Sequence, residues 1–217
     1  MKAIYIYGAS GHGLVVADIA RACGYDDIVF CDDGDNEYLT FEDIKANNHI
    51  PIAFGVGSNT IRAKLFDRVK NSGFEIVSLI HPSSIISPSV TIGKGTVVMP
   101  NVVVNAKAVI GDGVILNTAC VVEHECIIED FVHISPNVAL AGDVKVGKYT
   151  HIGIGSNVIQ GIIIGKNTIV GGGSMVIRNI DDNQKVVGVP ARLIPSASNR
   201  GGGVNSSFYF SLVRRAS

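Results

Sequence analysis

From Ile86 onward an aliphatic side chain returns at every sixth position: Ile86, Ile92, Val98, Val104, Ile110, Leu116, Val122, Ile128, Ile134, Leu140, Val146, Ile152, Val158, Ile164, Val170 and Val176. If about a third of positions are aliphatic, such a run arises by chance on the order of once in ten million or more rarely. Four residues further on, a second register holds small or β-branched residues, from Val90, Thr96, Val102, Ala108 and Val114 through Cys120 and Cys126 to Thr168, Ser174 and Ile180. Such residues suit extended backbone packed on an interior. Gly93, Gly111, Gly147 and Gly165 lie on an 18-residue grid, with Glu129 in the vacant place, which predicts a tight corner once per cycle. Six residues per side and eighteen per cycle describe a three-sided parallel β-helix filled by the aliphatic set. A sandwich would instead show two-residue alternation with irregular turn spacing. The period is silent on handedness, and the right-handed preference of ordinary crossovers is no guide here.

The first 80 residues follow another pattern. A strand over 3–7 ends in Gly8-Ala9-Ser10-Gly11-His12-Gly13, and a helix follows from Leu14 to Cys23. Strands at Ile28–Cys31 and Pro51–Val56, a helix from Thr60 to Lys70, and a strand from Phe74 to Ile80 complete a small parallel α/β unit of Rossmann-like type. His81-Pro82 marks the hinge, because the residue before proline avoids helix. The domain reading is 1–80 α/β unit, 81–180 β-helix, 181–195 closing segment, and 196–217 a disordered or vector-derived tail without periodicity.

Composition narrows the function. The 217 residues carry a net charge of −1, which argues against nucleic acid as a partner. No apolar run is long enough for a membrane span, and the N-terminus lacks the shape of a secretory signal, so a cytoplasmic location is expected. The four cysteines, Cys23, Cys31, Cys120 and Cys126, form no CxxC motif and are expected as reduced thiols. Absent tryptophan and only 6% aromatic residues imply a narrow, aliphatic core.

The glycine loop after the first strand puts backbone N–H groups at a helix N-terminus, where phosphate binds. Asp32, 21 residues after Gly11, suits a sugar hydroxyl. The motif is GxxGxG and the unit is too small for two mononucleotide halves. A nucleotide-sugar diphosphate is therefore favoured over NAD and over a purely structural turn.

Of six histidines, His49 reads as a surface residue and His81 as structural. His124 lies between Glu123 and Glu125, out of phase with both interior registers. A carboxylate bonded to one imidazole nitrogen fixes the tautomer and favours a general base. Gly142 follows one 18-residue cycle later and is a candidate oxyanion donor through its N–H. His133 and His151 share that spacing, which raises a metal reading without a third convergent ligand.

The repeat over about 85–180 resembles the hexapeptide-repeat acyltransferases, which implies a left-handed helix and a homotrimer. Residues 1–194 are similar to bacterial sugar acetyltransferases that join a small nucleotide-sugar unit to such a helix, in particular the UDP-4-amino-sugar N-acetyltransferases of bacillosamine biosynthesis. The matching stretches are Ile4 to Gly13, Ile115-Leu116-Asn117-Thr118, Glu123-His124-Glu125-Cys126 and Gly188-Val189-Pro190-Ala191. Cys31 departs from the larger apolar residue expected before the aspartate pair. The resemblance implies acetyl-CoA as co-substrate, with no metal, and a UDP-sugar acceptor. By position, His124 would be the base and Glu125 its partner. Ser10, Gly11, His12, Asp32, Asp33 and Gly57 would hold the UDP-sugar. His133, Ile154 and Gly172 would contact acetyl-CoA in a cleft between subunits. It further implies direct attack of the 4-amino group on the thioester, with Cys120 and Cys126 left as core residues. Three other readings stand beside it: an O-acetyltransferase acting on a sugar such as a sialic acid, a metal-dependent β-helix hydratase, and a non-catalytic nucleotide-sugar sensor.

Overall fold

The structure, a computed structural model, describes residues 2–194, so the reading of 196–217 lies outside the described residues. Strand β1 (Ala3–Tyr7) is flanked by β2 (Asp27–Cys31) and β3 (Ile52–Phe54) in a parallel sheet of order β2-β1-β3. Its alternate residues are apolar on both sides, and Ile4 to Tyr7 are all buried, as a strand covered on two faces requires. Helix α1 (Gly11–Ala22) packs Val16, Ala17, Ile19 and Ala20 onto the sheet. Helix α3 (Asn59–Asn71) buries Arg62, Ala63, Phe66 and Val69. A short helix, α2 (Phe41–Ile44), was not anticipated, although Thr40 and Asp43 carry its capping box.

The expected strand over 74–80 does not close this sheet. Only Ile76 bridges Ile52, and strand β4 (Leu79–Ile80) pairs with Val97–Val98 instead. Ile80 is itself one six-residue step before Ile86, so the period of the β-helix claims it.

The β-helix is left-handed and built from two-residue strands in three sheets. Partners are one 18-residue cycle apart, as in the ladder Val97, Ile115, His133, His151 and Ile169. We call the faces by their ladders: the first contains His133, the second Val121, the third Ile127. The six-residue aliphatic series is buried from Val98 to Val176. The second register is also interior, and its hydroxyls are satisfied by the main chain: Thr96 Oγ1 donates to the Gly111 carbonyl and Thr150 Oγ1 to that of Gly165.

The corners work differently from the expectation. From Gly95 to Gly173 every sixth residue is left-handed, including Ala119, Glu125, Phe131 and Tyr149. The grid glycines have no positive φ. They are small because neighbouring coils nearly touch: a Cβ on Gly111 would lie 2.5 Å from Asp130 Oδ1, and one on Gly147 would lie 2.6 Å from the Lys166 nitrogen.

Candidate active site

His124 follows the second-face strand Val121–Val122 and precedes the third-face strand Ile127–Ile128, so it sits on the edge between those faces. Its side chain is 59% exposed, with Nδ1 3.2 Å from Glu125 Oε2. The left-handed Glu125 backbone, φ 62°, is anchored by its N–H to the Ala106 carbonyl, and the turn brings the carboxylate back to the ring. With Nδ1–H donated to the carboxylate, Nε2 is left to accept a proton. Lys107, one cycle below Glu125, places Nζ 4.0 Å from its other oxygen, a partner the sequence reading missed.

Gly142 leaves room for the imidazole. A Cβ there would lie 2.5 Å from His124 Cε1 and 2.6 Å from Nε2. The Gly142 carbonyl accepts from Gly161, whereas its N–H has no protein acceptor among the described residues. Cys126 is buried and turns its thiol to the Ala141 carbonyl; burial pushes its pKa up to about 11. Cys120 is pushed up to about 12 for the same reason. Neither thiol is an available nucleophile.

The nucleotide-sugar candidates lie on the α/β unit. Ser10 is the exposed N-cap of α1, and its side chain makes no capping bond. Gly13 must be glycine, because any Cβ would strike the Gly8 carbonyl. A cavity of about 220 Å³ is lined by Tyr7, Gly8, Asp32, Asp33, Gly34, Val56, Ile61 and Leu65. Asp32 Oδ2 accepts the Ala9 N–H at 2.8 Å, tying the glycine loop to the end of β2. Asp33 accepts from the Phe41 N–H, the Tyr7 hydroxyl and Arg68. Burial raises its pKa, but these three donors outweigh that and hold it below the usual carboxylate range. Asp33 is thus a node of the fold as well as a lining residue.

His133 and His151 stack on the first face, and His12 of α1 lies beside His133. The His133 and His151 rings stack at 4.6 Å, and His12 lies 6.3 Å from His133. Asn117 Oδ1 accepts the Thr118 N–H, so its Nδ2 donates to His133 Nε2 at 3.1 Å and leaves the ring proton on Nδ1. His151 Nε2 pairs with Ser135 Oγ at 2.8 Å. Burial, followed by the neighbouring His151, Arg62 and His12, pushes His133 down to about 3, and burial followed by Arg62 pushes His12 down to about 4. His12 Nε2 is buried without a partner. The stacked rings bond to Asn117 and Ser135 rather than converge on a point. No group of three or more His, Cys, Asp or Glu among the described residues is arranged to hold a metal ion.

Ile154 and Gly172 meet at the edge between the first and second faces, where a Cβ on Gly172 would lie 3.1 Å from Ile154 Cγ2. The candidates therefore fall into separate groups within one chain. His124, Glu125 and Gly142 occupy one edge, Ile154 and Gly172 another, and His133 the face opposite His124, where His12 and Gly57 of the α/β unit lie against it. A larger hollow of about 450 Å³ opens at the far end of the helix beside Ile177, Arg178 and Arg192, away from His124.

A left-handed β-helix with a nucleotide-fold unit at its N-terminus and a histidine–glutamate pair on one edge defines a hexapeptide-repeat acyltransferase. Residues 3–69 match the family described as the PglD N-terminal domain. Over 114 residues, 46% of this chain, it is 39% identical to the UDP-N-acetylbacillosamine N-acetyltransferase of Bacillus subtilis (strain 168), a match that spans 52% of that relative, about half its length. A histidine-to-alanine mutant of GDP-perosamine N-acetyltransferase from Caulobacter crescentus, solved with CoA and GDP-perosamine, superimposes with a TM-score of 0.86 at 35% identity, over 89% of this chain and 97% of that one. The acetyltransferase domain of PglB from Neisseria gonorrhoeae FA1090 superimposes with a TM-score of 0.84 at 37% identity, over 89% of this chain and 100% of that one. The same domain is also known in complex with acetyl coenzyme A. The chain belongs to the sugar N-acetyltransferases of the hexapeptide-repeat β-helix family. No helix among the described residues is long and apolar enough to cross a membrane.

Proposed function

We propose that this protein transfers the acetyl group of acetyl-CoA to the 4-amino group of a UDP-4-amino-4,6-dideoxy-N-acetylhexosamine, giving UDP-N,N'-diacetylbacillosamine. The observation that carries the reading is the exposed His124 imidazole, held by Glu125 and lying against Gly142. The relative from Bacillus subtilis supports the UDP-linked acceptor, and the neighbour bound to GDP-perosamine supports an amino sugar on a nucleotide. The four free cysteines agree with a reducing, cytoplasmic setting.

The chemistry follows from the geometry. The neutral amine attacks the thioester carbonyl, and a C–N bond forms. His124 Nε2 takes the ammonium proton, and the Gly142 N–H donates to the developing oxyanion. Collapse breaks the C–S bond, and the proton passes from His124 to the departing thiolate. An amine needs no acyl-enzyme, which agrees with the buried thiols. Glu125 holds the proton on Nδ1 throughout. Ser10, Gly11, His12, Asp32, Asp33 and Gly57 hold the UDP-sugar, and His133, Ile154 and Gly172 contact acetyl-CoA.

One chain places His124 on the edge opposite the face that carries the α/β unit. Within one chain the first-face ladder, against which His12 of α1 lies, and the His124 edge are on opposite sides of the prism. We therefore propose a homotrimer in which His124 of one subunit faces the nucleotide-sugar unit of its neighbour.

The test is CoA release from acetyl-CoA with UDP-2-acetamido-4-amino-2,4,6-trideoxyglucose, with the product mass checked. The expected product gains one acetyl group, and His124→Ala lowers kcat by about a hundredfold to ten-thousandfold while the fold is kept. Wild-type-like turnover in His124→Ala overturns the base assignment. No release from folded wild-type protein overturns the acceptor and directs the search to sugar hydroxyls.

A further inference from the structure

Arg62 is the largest fully buried side chain of the described residues, and no carboxylate neutralises it. Its guanidinium spends its donors on main-chain carbonyls from both parts of the protein. Nε donates to Gly113 at 2.6 Å, and Nη2 to Phe131 at 3.2 Å and Val132 at 3.5 Å, all on the β-helix. Nη1 donates to Val56 at 3.0 Å and Gly57 at 3.1 Å, in the loop after β3. The remaining Nη2 partner, Asn59 Oδ1 at 2.9 Å, extends the contact, because Asn59 Nδ2 reaches the Tyr149 carbonyl at 2.9 Å. Gly113, Phe131 and Tyr149 are left-handed corner residues of three successive coils. The start of α3 is thus stitched along one edge of the prism, coil by coil.

The same loop closes on the nucleotide side. Gly55 and Gly13 both abut the Gly8 carbonyl with no room for a side chain, so the two glycine loops are packed in direct contact. Val56 lines the cavity that also holds Tyr7, Asp32 and Asp33. A chain of contacts therefore runs from the coil before His133, through one guanidinium, to both glycine loops.

We propose that Arg62 is a positioning residue that fixes the nucleotide-sugar loops against the β-helix, and so sets where the acceptor amine lies relative to the acetyl group. This rests on the acetyltransferase reading for its catalytic consequence, and on the contacts alone for its mechanical one. A five-donor planar fork bonded to carbonyls on both sides of a seam cannot be reproduced by an ammonium on a flexible stem. Most of the cavity lining, Tyr7, Gly8, Asp32 and Asp33, is held without Arg62, so loosening the seam spoils presentation of the amine more than it weakens nucleotide binding.

The experiment compares wild type with Arg62→Lys and with the milder Asn59→Ala, which spares the guanidinium, using three readouts on folded protein. UDP affinity by calorimetry is expected to fall much less than kcat, because Tyr7, Gly8, Asp32 and Asp33 line the cavity through contacts that do not involve Arg62. Saturating kcat is expected to fall about a hundredfold in Arg62→Lys, the loss that a displacement near 1 Å produces, and less in Asn59→Ala. Amide exchange over residues 55–61 and 131–133 is expected to quicken in both variants. A folded Arg62→Lys with wild-type kcat and unchanged exchange overturns the proposal. Parallel loss of UDP affinity and kcat also overturns it, because that pattern marks a pocket residue. If wild type itself turns over no amino sugar, the acetyltransferase reading fails, and exchange at the seam still decides for or against the clamp.

Discussion

Gly142→Ala is the sharpest probe of the catalytic edge. The added methyl would lie 2.5 Å from His124 Cε1, 2.6 Å from Nε2 and 3.2 Å from Nδ1. Carbon atoms settle at about 3.5–4.0 Å, so the ring must retreat by about 1 Å. The backbone does not resist, since Gly142 is not among the positive-φ residues and alanine adopts its conformation freely. The ring has somewhere to go, because its side chain is 59% exposed. The substitution should therefore change stability by under about 1 kcal/mol, as surface changes usually do. Catalysis is another matter: a misplacement near 1 Å costs about a hundredfold in rate. Steady-state kcat in Gly142→Ala should fall by about that factor, with Tm unchanged within a few degrees. Because the alanine keeps its N–H, the loss reports the position of the base and not of the oxyanion donor. The double variant with His124→Ala separates the two causes. If the methyl acts through the ring, it adds little to the loss caused by His124→Ala. Full activity in Gly142→Ala would refute the geometry, and an undiminished hundredfold loss on the His124→Ala background would refute the route through the ring.

The remaining predictions concern buried groups. His133 and His12 are held neutral, with pKa values pushed down to about 3 and about 4 against about 6.5 in the unfolded chain. Between those values the unfolded chain binds more protons than the fold. The contribution of these residues is therefore complete above about pH 6.5 and is lost as the pH falls, by about 2 kcal/mol each by pH 5. Thermal melts at pH 7 and pH 5 should differ by several degrees, and His12→Asn should shrink that difference; equal melting temperatures would sink the assignment. Among the thiols, only Cys23 is partly exposed, whereas Cys31, Cys120 and Cys126 are buried and their pKa values raised. A soluble alkylating reagent at pH 8 should label Cys23 in native protein and all four after denaturation, as read by mass. Cys126→Ser should keep kcat within about threefold, since no acyl-enzyme passes through it; abolished turnover in a folded variant would require a covalent route.

Much of the molecule was legible because a periodic fold repeats a local rule. The six-residue series defined the strands, their inward residues and the stacking partners, and the 18-residue spacing of His124 and Gly142 is the spacing of positions that touch. Even the misread strand over 74–80 obeys that rule, because Ile80 continues the series backward. The corners were less legible. Left-handed residues recur at every sixth place but include Ala119, Phe131 and Tyr149, which carry no signature of that conformation. The stacked coils impose it through bonds such as the Phe131 N–H to the Asp112 carbonyl. The grid glycines, which look like left-handed turns in sequence, answer instead to the closeness of the next coil.

The sequence by itself determined what recurs: the prism, its aliphatic filling, the glycine loop after the first strand, and the histidine–carboxylate pair. Only the tertiary structure decided where the α/β unit lies against that prism. It alone shows that Arg62 holds three successive parts of the chain through carbonyls, that Asp33 is bonded to Tyr7 and Arg68, and that His12 comes to rest beside His133. The reason is physical. Periodic burial depends on residue type and can be read along the chain. A bond from a side chain to a distant carbonyl depends on an acceptor that every residue carries, and so leaves no mark in the order of amino acids.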